Sequence, residues 1–481
     1  MKKMIIIGAG ITGLTAGIYA LEKGYDTSIY EKNNWPGGCC TGWFREGYYI
    51  DNCMHWLTGT NQHTKDFKLW KKIGAIDETS NLYQGEYFYK STYGNDSITL
   101  YSDLEKTRTE MLKVSYEDRK EINKFINITK RISNSMKNGN FFTTFTSKVF
   151  GYASCYLNYH KITLAEYARK YKHPLLKRVF TDYIPKEYSP LFLFCSYATF
   201  ASGNGKVYQK GSAEFSKNIL RKYQELGGKI FYNSKVTKIT FNNDKFTDME
   251  INNNETVSGD YLIYTGDPYY LYNNLIDKKY INPKLISKFE NKYKYPVVSS
   301  FHVAYLVNKK DSPIIDTVVN EIESLTIGKR QINRLILRDY SYLYPNDEKT
   351  VIQVYITQTP RDYDYWKELN DQNHEEYNKA KHDLGIKLQE IIVNLYPTLK
   401  DSIKLLDVWT PLTYNKYYYS YYGSYMGFIV NKHTSLASIS PKLNKIPNML
   451  ITTYWQKITG GLPVALRSGK EIKHLITQKG Q

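Results

Sequence analysis

Three glycines and one acid carry the clearest chemistry in this 481-residue chain. Gly8-Ala9-Gly10-Ile11-Thr12-Gly13 is a complete G-x-G-x-x-G, and Glu31 follows beyond the next helix and strand. Gly8 allows a tight turn, and Gly10 lets a pyrophosphate approach the backbone at a helix N-terminus. Gly13 lets helix and strand pack closely, with Ala9, Ile11 and Thr12 completing the turn. The Glu31 carboxylate can accept hydrogen bonds from ribose hydroxyls, and Lys32 beside it joins the binding set. The glycines alone are a weak signal. Strand, glycines, helix, strand and acid in that order point to a bound dinucleotide.

The flanking residues supply that order. Met4–Ile7 is a short apolar run fit for a buried parallel strand. Leu14–Lys23 sets Leu14, Ile18 and Leu21 on one helical face and stops at Gly24, and Thr27–Tyr30 predicts the second strand. Further on, Asp66–Ile73 predicts a short amphipathic helix, Ser80–Leu100 short strands, and Leu104–Met136 a long charged helix. Ala213–Leu226 and Glu375–Leu395 read as helices, and Lys229–Tyr232, Lys235–Phe241, Tyr261–Thr265, Val297–Val307 and Thr350–Thr357 as strands.

Composition bounds the rest. The chain is too long for one core, and 42% hydrophobic residues leave ample material for two. The longest apolar run, near Leu191–Ala201, is far below the ~20 residues of a membrane span. The start, two lysines and then a strand, has no signal-peptide pattern. Five cysteines are an odd number without zinc-like spacing; no metal site is expected, and a reducing cytoplasm suits them. The formal charge of +18 raises polyanions, but the lysines are spread along the chain and no nucleic-acid module is visible, so no nucleic-acid partner is expected. Peripheral association with an anionic membrane stays open. The aromatic stretch Phe141–Tyr159, followed by Lys161, Arg169 and Lys170, fits either such a surface or packed helices of a substrate domain.

After Glu31 come Gly37-Gly38-Cys39 and then Tyr48–Trp56, a hydrophobic-Asp-x-x-x-His segment around Asp51 and His55. Gly460-Gly461-Leu462-Pro463-Val464-Ala465 opens the C-terminal motif. In this order the chain resembles the FAD-dependent amine oxidase superfamily, within it the phytoene desaturase and retinol saturase branch. The likeness spans essentially the whole chain. It implies an α/β fold, with a Rossmann-like FAD-binding domain and a discontinuous substrate domain of mixed sheet plus helices. The FAD domain would take residues 1–60, 207–281 and 423–481, and the substrate domain 61–206 and 282–422. Gly37, Gly38 and Cys39 would line the flavin side. Val236 would set its backbone at the adenine side, Gly266 would pass near the cofactor, and Gly460, Gly461, Leu462, Pro463 and Ala465 would start a helix pointed at the flavin ring. Many relatives carry an arginine where this chain has Cys39, and a glycine where it has Thr453.

The implied activity is FAD-dependent desaturation or saturation of a carbon–carbon bond in an apolar polyene, isoprenoid or lipid-like substrate. A non-redox double-bond isomerase and a lipid-escort binding protein of the same fold are the rivals. His55, beside Cys53 in a segment the resemblance brings near the flavin, is the candidate catalytic residue. It could act as an acid or base near neutral pH, or be a packed histidine bonded to backbone.

Overall fold

Lys3–Ile7 is the middle strand of a five-stranded parallel sheet in the order 229–231, 26–30, 3–7, 261–264, 449–451. In this computed structural model the described residues are 1–137, 155–280, 282–434, 440–443, 445–457 and 460–477. Helix Ile11–Leu21 follows the first strand and packs against Gly211–Glu225 and Gly461–Thr477. Met4, Ile6, Leu14, Ile18 and Ile29 are buried between sheet and helices, as an apolar central strand requires.

The second large sheet has seven strands in the order 404–409, 299–308, 349–358, 330–339, 317–327, 87–93, 96–101. Its middle is antiparallel, and only 317–327 against 87–93 is parallel. One face carries helices Pro360–Gln372 and His374–Leu395, and Trp366, Leu388 and Ile392 are buried against Phe301, Tyr305 and Val354. Helices Leu104–Val114, Arg119–Lys137 and Pro190–Ala201 enclose a separate aromatic cluster around Phe88, Phe125, Phe194 and Tyr197.

Several expected elements shift. The first helix starts at Ile11 rather than Leu14, because the glycine turn already has helical geometry by that point. The expected long helix 104–136 is two helices. Asp118 breaks it, accepting the Lys172 and His173 backbone N–H groups at 2.8 and 3.0 Å and the Ser115 hydroxyl at 2.9 Å. The hairpin 317–339, with Gly328 in a left-handed turn (φ 67°), was not expected from sequence. The apolar run Leu191–Ala201 lies in a helix whose Leu193, Phe194, Tyr197 and Ala198 are buried. Most of the stretch Phe141–Tyr159 falls outside the described residues. Of its end, Cys155 and Tyr159 are buried, while Tyr156 and Leu157 are exposed. Among the described residues, no helix is long and apolar enough to cross a membrane, and no cluster of metal-ligating side chains occurs.

Candidate active site

The left-handed backbone of Gly8 (φ 100°) turns the first strand into helix Ile11–Leu21. A Cβ on Gly13 would stand 2.0 Å from the Gly8 carbonyl oxygen, so only glycine lets strand and helix meet. A Cβ on Gly10 would meet nothing within 4 Å. Gly10 is also the N-cap, and no side chain caps the helix. The open space therefore lies over first-turn N–H groups that need an acceptor, which is the setting for an anion.

Glu31 is buried at the tip of strand 26–30. Its Oε2 accepts the Ala9 N–H at 2.8 Å, and Oε1 accepts the Asn33 backbone and side-chain N–H groups at 2.9 and 3.0 Å. Burial pushes its pKa up against these bonds. A carboxylate has about four lone-pair sites, so a further donor can be accommodated. Beside it, Lys32 Nζ sits 3.5 Å from the Tyr419 ring centre and donates to the Lys416 carbonyl at 2.7 Å. Burial lowers its pKa to about 8.

One cavity of about 1010 Å³ gathers nearly all the residues singled out by sequence. Gly8, Gly10, Ile11, Thr12, Glu31, Lys32, Gly37, Gly38, Cys39, His55, Val236, Gly266, Gly460, Gly461, Leu462, Pro463 and Ala465 line it. Ala9 and Gly13 do not; they act through the Glu31 bond and the helix–strand contact. Gly460 and Gly461 are both left-handed (φ 55° and 75°), and they start helix Gly461–Thr477 at the cavity wall. Thr453 is buried and caps the turn Tyr454–Gln456, accepting the Trp455 N–H at 3.1 Å; it does not reach the cavity.

The same cavity continues along Trp56, Tyr183, Tyr188, Phe192, Tyr355 and Tyr425. Tyr355 and Tyr425 share a hydroxyl–hydroxyl hydrogen bond. His55 meets Tyr355 edge-on at 5.6 Å, and its carbonyl accepts from Arg338 Nη2 at 2.7 Å. Burial, the Arg338 guanidinium and His302 hold the His55 pKa well below its usual value. The expected titration near neutral pH is thus corrected: His55 is a neutral imidazole there.

His302 was missed by sequence reasoning. It lies on the buried strand Ser299–Asn308, stacks on Trp409 at 4.7 Å, and has Nε2 2.7 Å from Ser300 Oγ. Its Nδ1 is buried without a partner, and burial lowers its pKa to about 3. The available signal was a single histidine inside the otherwise apolar run Phe301–Val307. Asp51 orders the His55 segment. Its carboxylate accepts from the Cys53 and Met54 N–H groups and from both the N–H and hydroxyl of Ser212, at 2.7–3.1 Å. Cys39 and Cys53 are held as neutral thiols, Cys39 mainly by burial and Cys53 by its hydrogen bond to Cys40 and burial.

An uncapped helix N-terminus under open glycines, an acid at the second strand tip, and a second glycine-started helix across the cavity fit FAD. They define a flavoprotein oxidoreductase fold. The chain belongs to the family of flavin-containing amine oxidoreductases, which matches residues 11–471. It is an FAD-dependent oxidoreductase. It is 24% identical over 502 aligned residues to the 4,4'-diaponeurosporene oxygenase of Staphylococcus aureus strain MW2, covering 99% of this chain and 98% of that protein. Among solved structures, an oxidoreductase from Methanosarcina mazei superposes with a TM-score of 0.60 at 14% identity, covering 98% of this chain and all of that one. Cyclohexylamine oxidase from Brevibacterium oxydans gives 0.59 at 13% identity, covering 99% of each chain. These two likenesses show the fold.

Proposed function

We propose that the protein desaturates or saturates a carbon–carbon bond of an apolar polyene, isoprenoid or lipid-like chain. The observation that carries this reading is a single cavity, with the glycine cradle at one part and a largely aromatic lining at another. The lining offers long apolar surface and few charges beside Tyr355 and the neutral pair His55 and His302. The relative named for 4,4'-diaponeurosporene supports a polyene. Bound FAD supplies the hydride acceptor or donor. The chain's own residues bind, orient and exclude water: Glu31 holds ribose hydroxyls, the Gly10 turn receives the pyrophosphate, and the Gly461 helix N-terminus favours negative charge at the flavin. His55, neutral, orients substrate or cofactor through one ring N–H.

The strands of the parallel sheet support a cofactor domain of residues 1–60, 207–281 and 423–481, with 61–206 and 282–422 forming the substrate domain. The exposed Tyr156 and Leu157 ahead of Lys161, with the charge of +18, support reversible contact with anionic membrane. Flotation with anionic vesicles that is lost at high salt tests it, and equal recovery with neutral vesicles refutes it.

The relative's name as an oxygenase favours a second reading, oxygen insertion into the same chain. Anaerobic mixing of holoprotein with a polyene separates the two. Desaturation bleaches the flavin without oxygen and yields a product two hydrogens poorer. Unchanged absorbance with every polyene tested, and product only when oxygen is admitted, refutes desaturation.

A further inference from the structure

The cavity wall carries a pair of thiols that the reaction above leaves unused. The hairpin Gly42–Arg45 and Tyr48–Asp51 pairs Gly42 with Asp51. One step outward, Asn52 donates its N–H to the Thr41 carbonyl at 3.1 Å. Beyond that bond the paired strands end, with Cys40 next on one segment and Cys53 next on the other. A disulfide needs its Cβ atoms about 3.5–4.5 Å apart, so closure requires these two segments to approach. That approach breaks no ladder bond, because the Cys40 N–H is turned to the Gly37 carbonyl at 3.0 Å and the Cys53 N–H to Asp51 Oδ1 at 2.9 Å. Both sulfurs are free and both residues line the cavity; the Cys40 thiol is the strongest single influence on the Cys53 thiol, and Cys40 Sγ donates to the Ser212 carbonyl at 3.7 Å.

We propose that Cys40 and Cys53 form a redox-modifiable dithiol on the cavity wall, closing to a disulfide when a peroxide enters. One sulfur attacks a peroxide oxygen, the O–O bond breaks, and a sulfenic acid and one water form. The second thiol then displaces the hydroxyl as a second water, forming the S–S bond. Two thiols and one hydrogen peroxide give one disulfide and two waters; both sulfurs are oxidised and the peroxide is reduced. Cys39 is excluded as a partner for Cys40, since neighbouring residues bridge only with strain. The cross-link would tie the Asp51–His55 segment to the Gly37–Cys40 turn, two walls of the site. The neighbouring Cys40 thiol and burial hold Cys53 as the thiol at neutral pH, so closure quickens toward alkaline pH.

The test treats holoprotein with hydrogen peroxide, removes the peroxide, denatures, alkylates remaining thiols and maps the peptides. Alkylatable cysteines should fall from five by two, with one linked species joining the Cys40 and Cys53 peptides, and dithiothreitol should restore all five. Cys53→Ser should abolish the linked species, and Cys39→Ser should leave it in place. Cys53 is the less buried of the pair, so its variant carries the test if Cys40→Ser does not fold. Five alkylatable thiols after peroxide, over-oxidation without linkage, or linkage only through Cys39 or between Cys155 and Cys195 would overturn the proposal.

Discussion

Gly10 and Gly13 sit three residues apart in one motif, yet the structure gives their alanine variants opposite consequences. A Cβ at Gly10 enters open space, and its φ of −66° is ordinary for any residue. Gly10→Ala should therefore fold. Reduced unfolded-state freedom contributes about 0.4–1 kcal/mol in its favour. The poorer helix cap costs a similar amount, so the net change stays within ~1 kcal/mol. The added methyl occupies the space where a pyrophosphate would meet the first-turn N–H groups. Losing one or two charge-assisted bonds of about 1.5–3 kcal/mol each weakens FAD binding at least tenfold. Gly13→Ala is the reverse case. Its Cβ lies 2.0 Å from a backbone carbonyl and 2.9 Å from Thr265 Oγ1, and no rotamer relieves a clash with backbone. Overpacking of this kind costs about 1–3 kcal/mol or more, and it strikes the apoprotein. Urea unfolding of FAD-stripped protein, with flavin fluorescence titration for affinity, separates the two. A Gly10→Ala protein with wild-type FAD affinity would mean that no ligand approaches there. A Gly13→Ala apoprotein as stable as wild type would refute the packing role.

Glu31→Ala should weaken FAD binding by ~1.5–3 kcal/mol, measured by equilibrium dialysis, and an unchanged dissociation constant would turn the carboxylate away from the ribose. His55→Ala should retain FAD but slow turnover ~10²-fold, and His55→Gln should recover part of that rate because the imidazole is already neutral; wild-type turnover in the alanine variant refutes the role. Arg334→Met strands Asp182, which accepts from Arg334 Nε at 3.0 Å and Nη2 at 2.5 Å while 1% exposed, and should cost about 3–5 kcal/mol in denaturant unfolding. For His302, the folded pKa of about 3 lies below an unfolded value near 6.5, so the unfolded chain takes up the proton first. As pH falls below 6.5, wild type should lose stability relative to His302→Gln by about 1.4 kcal/mol per pH unit, and parallel stability–pH curves would show that His302 is not buried neutral.

The cofactor cradle was legible because its demands are local. Gly8 needs a left-handed turn, Gly13 a missing Cβ, and Glu31 a place at a strand tip, and each is fixed within thirty residues of chain. The hairpin 317–339 was not legible. A register break between Glu321 and Leu325 resets the alternation by which a strand is recognised. The break in the expected helix 104–136 comes from Asp118 binding Lys172 and His173, some fifty residues away. The sequence reached the cavity wall where a motif did, at His55, and missed His302, whose neighbours Ser300, Tyr355 and Trp409 come from the same strand and two others.

The protonation state of His55 is set by its surroundings rather than by its residue type. An imidazole titrates near neutral pH only while water can share its charge. Here the surrounding sheet removes that water, and Arg338, at the end of strand 330–339, brings a guanidinium against the His55 carbonyl. A second histidine, His302, reaches the same Tyr355 ring from strand 299–308. Burial keeps both rings neutral, and at His55 the Arg338 guanidinium and His302 add to it. A site with two neutral imidazoles and a hydroxyl pair at Tyr355 and Tyr425 can donate and accept hydrogen bonds without holding fixed charge. That is the polarity an apolar chain tolerates, and it leaves the charge-bearing work of the reaction to the cofactor side of the cavity.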